Sequence, residues 1–150
     1  MEKRIAAITI KKQVDTDPDT SYIGEYVSKP QKGDCFRHNA RHGEYQYFRP
    51  ANPEYRWQDF KRMEGLNNGD WYYIGITVYA EIQVNINKDS WLTETIGSGG
   101  SWGIESDSGN DHLAQVASEE MDSLRKALVE LGFANRAITR AFENAEWSEE

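Results

Sequence analysis

Cysteine is nearly absent from this chain: Cys35 is the only one in 150 residues, so no disulfide can close within it. A lone thiol also leaves a structural zinc site dependent on three ligands of other kinds. Basic residues thin out along the chain. Residues 1–62 carry 12 Lys/Arg against 9 Asp/Glu, whereas residues 63–150 carry 5 against 16, within a net charge of −8. With so few cations to neutralise phosphates, the second half is not expected to bind nucleic acid. No apolar run approaches the roughly 18 to 20 residues of a membrane span. Near the start, charges bracket the six-residue stretch 5–10, which is too short for a signal-peptide core. Together these absences predict a cytoplasmic protein that folds without a bridge or a bilayer.

What is present is led by one stretch, residues 71–86, WYYIGITVYAEIQVNI. Its even positions, Tyr72 to Ile86, are all apolar, and its odd positions run from aromatic (Trp71, Tyr73, Tyr79) to polar (Glu81, Gln83, Asn85). Period-two alternation predicts a strand with one face committed to a core. A segment this long predicts a bend or bulge, placed at Gly75, where no side chain opposes one.

Around it, residues 4–12 alternate weakly, with Ala6, Ile8 and Ile10 on one side, and read as an edge strand guarded by Lys11 and Lys12. Residues 22–27 and 44–50 read as short strands. Between them, 28–43 lacks periodicity and is expected to be a long loop. Asn52 and Pro53 open a helix carrying Trp57, Phe60 and Met63 at helical spacing, and Asn68-Gly69 ends it. Residues 91–96 should return antiparallel to the long strand, GSGGS at 97–101 should be flexible, and Trp102 and Ile104 resume a strand. The apolar stripe Leu113, Val116/Ala117, Met121, Leu124, Leu128, Leu131 predicts a long helix with Glu119, Glu120 and Asp122 outside it. Gly132 supplies a left-handed cap on which Phe133 folds back towards Leu128. A last helix over 135–147 would end near Trp147. The expected fold is α+β: a single domain, with an antiparallel sheet centred on 71–86 and two or three helices packed on it.

Sites for chemistry are sparse. Cys35-x2-His38-x3-His42 has part of a zinc spacing and no second cysteine; as a solvated loop it needs no metal. The glycines of 97–101 lack the Lys-Ser/Thr and the following helix of a phosphate loop. Glu105, Asp107 and Asp111 either hold a hard cation or favour the start of the helix that follows, with Ser108, Asn110 or Asp111 as its cap. No carboxylate pair, nucleophile set or metal box stands out, so neither catalysis nor a cofactor is expected. The aromatics Trp71, Tyr73, Tyr79 and Trp102 remain. They form either a second buried face or an exposed patch that suits an interface.

Several runs resemble a group of small proteins encoded by phages, plasmids and integrated elements. They are Ser21-Tyr22-Ile23-Gly24-Glu25-Tyr26, Tyr45-Gln46-Tyr47-Phe48, Phe60 to Glu64 with Asn68 to Trp71 and Ile74 to Ile76, and above all Ser98 to Asp107. The group attaches no activity to particular residues. What the resemblance implies is a class of role in a bacterial host: antagonists of host defence, such as anti-CRISPR proteins, in which clustered carboxylates take the place of phosphates. On this reading Trp71, Tyr73, Tyr79, Trp102, Glu105, Asp107, Asp111, Glu119 and Asp122 face a basic host protein, for instance a defence nuclease complex. The alternative is a small-molecule binder for a nucleotide signal, with Arg37, Arg41, Arg49, Gly99, Gly100 and Trp102 lining its pocket.

Overall fold

The structure, a computed structural model, describes residues 2–149. In chain order the elements are β1 (Lys3–Val14), β2 (Gly24–Val27), β3 (Cys35–Phe36), β4 (Tyr47–Pro50), a 3₁₀ turn (Pro53–Tyr55), α1 (Arg56–Asn68), β5 (Tyr73–Asn87), β6 (Ser90–Gly97), β7 (Ser101–Glu105), α2 (Asn110–Glu130), α3 (Asn135–Glu143) and β8 (Glu146–Glu149). The α+β class is as the patterning predicts. The chain forms two compact units: a sheet unit of residues 1–16 and 73–150, and an inserted unit of residues 17–72. By formal charge the sheet unit holds 9 Lys/Arg and 16 Asp/Glu and the inserted unit 8 and 9, so −7 of the −8 belongs to the sheet unit.

The sheet unit is built on β5. Its even residues Ile74, Ile76, Val78, Ala80 and Ile82 are buried and pack with Leu113, Val116, Ala117, Leu124 and Leu128 of α2, and with Ile138 of α3. Each fully buried aliphatic side chain contributes about 1.5–3 kcal/mol. Tyr72 falls outside the strand and is exposed. Strand order is β6-β5-β1-β8, with β7 pairing the first half of β5 on the edge that β6 occupies along its second half. All pairs in this sheet are antiparallel except β1–β8. The bend or bulge expected in β5 at Gly75 falls instead on its neighbour: in the β5–β7 ladder two steps from Ile74 to Ile76 face three from Ile104 to Ser101. The extra residue is on β7, and Gly75 itself stays in register with Gln13 of β1.

Several expectations are corrected. β1 is not a guarded edge at Lys11 and Lys12, because β8 pairs in parallel with Thr9–Lys12. Ala6 is a bulge, so Ile5 rather than Ala6 takes the core-facing position opposite Ile82. Trp147 is not helical: Asn144 stops α3 and Glu146–Glu149 becomes β8, since a free edge of β1 offers the backbone partners that a helix end lacks. At α2 the N-cap is Gly109 with no side-chain cap, and Ser108 instead donates to the carbonyl of Glu105. The C-terminal end behaves as expected: Gly132 has φ +91°, the Phe133 N–H donates to the Leu128 carbonyl at 3.1 Å, and Phe133 is buried.

The inserted unit pairs β2, β4 and β3 as a small antiparallel sheet with α1. Asn52 accepts from the Glu54 N–H at the helix entrance, and Gly69 closes α1 with φ +81°. Phe48, fully buried, sets its ring edge-on to Phe60 and Tyr26. Trp57 is exposed although it lies at the stripe spacing, so only Met63 of α1 is buried outright. The expected loop 28–43 contains β3, held to β4 through Cys35 and Phe36.

Candidate interaction surface

Within the sheet unit the helices cover the even face of β5. On the odd face Tyr73 and Thr77 are buried, Tyr79 is half-buried and Glu81 is exposed. Trp71 does not belong to this face. It lies in the inserted unit, buried, with its Nε1 donating to the Arg62 carbonyl at 2.8 Å and the Arg62 guanidinium 3.7 Å over its ring. Trp71 and Tyr73 are thereby removed from the expected interface, because neither offers area to a partner.

Trp102 is the exposed aromatic of the face. A side chain begun at Gly75 would lie 2.1 Å from its Cε3, and one begun at Gly100 would lie 2.8 Å from its Nε1. The indole is therefore laid on two glycines, with half of its surface open. Gly100 also approaches Thr77 Oγ1, and its φ of +91° needs glycine. This close approach, rather than strand bending, is what position 75 requires.

Two acidic residues, Asp15 and Glu105, are tied to the strands that carry this anchor. The Asp15 carboxylate accepts from the Gly103 N–H at 3.0 Å, next to the indole in sequence. Glu105 is partly buried opposite Tyr73, and Asp107 and Asp111 are exposed in the turn into α2. Glu119 and Asp122 are exposed on the outer side of α2. They lie on the helix side of the sheet, so they extend the acidic surface of the unit without sharing the Trp102 face. Lys11 sits 5.9 Å over the Tyr79 ring, and Arg4 lies on Trp91 at 4.0 Å while donating to Gln83, so these cations are engaged locally.

The expected flexibility of 97–101 is overturned by Glu120. Its carboxylate is buried and accepts from Ser101 Oγ at 2.6 Å and from the Gly100 N–H at 3.3 Å, while Ser98 bonds Val78 through both its N–H and its hydroxyl. Its charge suggests the polar side of the helix, yet Glu120 lies seven residues after Leu113 and four before Leu124, on the apolar stripe. An acid at a stripe position was the signal for a buried partner. Glu120→Ala should lower stability by about 2–3 kcal/mol, since two donors lose a charged acceptor. Urea denaturation checks it, and a change under about 0.5 kcal/mol would show that the loop does not rely on Glu120.

The alternative pocket divides between the units: Arg37, Arg41 and Arg49 belong to the inserted unit, and Gly99, Gly100 and Trp102 to the sheet unit. Within the inserted unit, Arg37 and Arg41 do line one cavity of about 350 Å³, with Asn39, Glu44, Glu64, Asn67 and Asn68. Arg37 is buried and committed: it donates to Glu64 at 2.9 Å, to the Tyr45 carbonyl at 2.7 Å and to Glu44 at 3.4 Å, and stacks on Tyr26 at 3.8 Å. Burial, then the adjacent Glu64, pushes the Tyr26 phenol well above its ordinary range. Arg49 lines a different cavity and pairs with Asp34 at 3.1 Å. Burial alone would raise the Asp34 carboxyl, but the Arg49 guanidinium and the Gln31 N–H outweigh it and hold it below its ordinary value. Glu44 and Glu64 both hold Arg37, which removes that guanidinium from a phosphate, and the lining of the cavity offers no apolar wall for a base.

Cys35 is buried, its thiol pushed up by that burial and directed at the Arg56 carbonyl, whereas His38 and His42 are exposed. Among the described residues no cluster of three or more His, Cys, Asp or Glu could hold a metal ion, and no helix is long and apolar enough to cross a membrane. The chain is thus an α+β protein whose mixed sheet carries helices on one face and an aromatic anchor on the other. No family model, curated protein or solved structure matches it.

Proposed function

We propose that this chain acts by binding another protein, using the Trp102 face of the sheet unit against a basic surface. The carrying observation is the indole of Trp102, half-exposed yet fixed on Gly75 and Gly100. A rigid tryptophan gives a partner large contact area at little entropy cost, which is the property of interface hot spots. The charge of −7 on the same unit supports a basic partner, because complementary fields speed encounter and exclude acidic surfaces. A protein surface that normally holds nucleic acid meets that description. The resemblance to small proteins of phages and plasmids makes a bacterial defence nuclease complex the first partner to test.

The experiment is capture from a bacterial extract with the immobilised chain at about 50 mM salt and again at about 500 mM, where charges beyond a few ångströms are screened. A basic, nucleic-acid-binding protein should be retained at low salt and lost progressively at high salt. Asp107→Lys with Asp111→Lys should weaken capture, both side chains being exposed and outside the core. Retention of no protein at low salt, or equal capture by the double variant, would remove the reading.

A further inference from the structure

We infer that the open edge of β1 over Lys3–Ile8 takes an extended acidic peptide of another protein as an added strand. β1 lies between β5 and β8, but β8 pairs only with Thr9–Lys12. Among the described residues no strand pairs with β1 from Lys3 to Ile8 on the side away from β5. At about 3.3 Å per residue this leaves about 20 Å of backbone donors and acceptors available for augmentation.

The edge opens on a groove of about 570 Å³ running from Lys3 to Thr9, with Phe133, Ala137, Arg140, Ala141 and Asn144 opposite and Glu146 at its end. Ala137, Arg140, Ala141 and Asn144 share one side of α3 at spacings of three and four. The two alanines leave room for every second side chain of an incoming strand. The edge already accepts such a strand in this fold: β8, Glu-Trp-Ser-Glu, is acidic, and Glu149 meets Lys12 at 3.6 Å. The open part is the more basic, with Lys3 and Arg140 lining the groove in a chain of net charge −8. That polarity selects an acidic occupant and disfavours a basic one.

A bulge and basic residues on an edge also serve to block pairing. Here the bulge at Ala6 is present, but the two cations of the strand are turned away from blocking. Lys3 bonds the Leu131 carbonyl and lies over Phe133, and Arg4 is drawn onto Gln83 and Trp91. Neither stands across the edge as a guard must.

The probe is a fluorescent eight-residue peptide of alternating glutamate and valine, titrated by anisotropy against the full chain. Saturable binding is expected. Methylation of alternate peptide amides, which removes strand hydrogen bonds but keeps composition, should weaken it by about tenfold or more. A lysine–valine peptide should not bind. Ala137→Tyr, at an exposed position, should fill the groove and abolish binding while leaving capture of the basic partner through Trp102 intact. No binding of the acidic peptide, or equal binding by the methylated or lysine peptide, overturns the inference. So does sedimentation showing a dimer that Ala137→Tyr dissociates, because a second copy would then be the occupant.

Discussion

Replacing Arg37 with alanine is expected to lower stability by about 3–5 kcal/mol, the cost of stranding one partner of a buried ion pair. Its side chain is 3% exposed, and its Nε and terminal nitrogens hold Glu64, Glu44 and the Tyr45 carbonyl at once. Those acceptors come from α1 and from the loop leading into β4, so one side chain ties residues far apart in the inserted unit. Removal leaves Glu64, with a side chain 20% exposed, carrying a charge beside the raised phenol of Tyr26. Arg37→Lys should recover little, because a compact ammonium cannot satisfy three acceptors spread around a planar fork. Removing both charges, as Arg37→Met with Glu64→Gln, should cost less than Arg37→Ala alone. Urea denaturation of the wild type and these three variants makes the comparison. A loss below about 1 kcal/mol for Arg37→Ala would mean that water already solvates the pair and that the network is peripheral.

The second large effect concerns the anchor. Trp102→Ala should weaken capture of the basic partner by at least about 30-fold, the equivalent of about 2 kcal/mol for a hot-spot residue. Folding should be little affected, since half of the indole is already in water. Gly75→Ala tests the geometry separately. It retains the tryptophan, but its new carbon would occupy space 2.1 Å from Cε3, so the ring must leave its seat. Binding should fall in Gly75→Ala although no partner contact has been deleted. Affinity measured by titration calorimetry for both variants decides the matter. Unchanged affinity in Trp102→Ala would place the interface elsewhere, and loss in that variant alone would mean that the seat is not needed.

Local pattern carried much of the fold. Alternation from Ile74 to Ile82 depends only on the two-residue repeat of a strand, and all five even residues are buried as it predicts; Gly75 and Thr77 on the odd face are buried as well, and Ile86 at the far end is exposed. The stripe of α2, the Asn52 and Gly69 caps and the Gly132–Phe133 closure are equally local, because each is settled within about one helical turn. Trp147 shows the limit: its segment has helical spacing, but an unpaired edge of β1, more than 130 positions earlier, drew it into a strand.

The candidate surface was legible in kind and not in membership. That this chain has aromatics near acids follows from composition; which of them face water does not. Trp71 and Tyr73 went to the interior, while Trp102 stayed out because glycines at 75 and 100 leave a flat seat for its ring. Arg37 and Glu64, 27 positions apart, carry no shared sequence signal, and burial converts the arginine from a ligand-binding charge into a structural tie. The sequence by itself determined the α+β class, the core face of β5 and the acidic character. Tertiary structure decided the inserted unit, the parallel β8 and the exposed anchor, because each depends on which distant surface competes best for the same backbone or side chain.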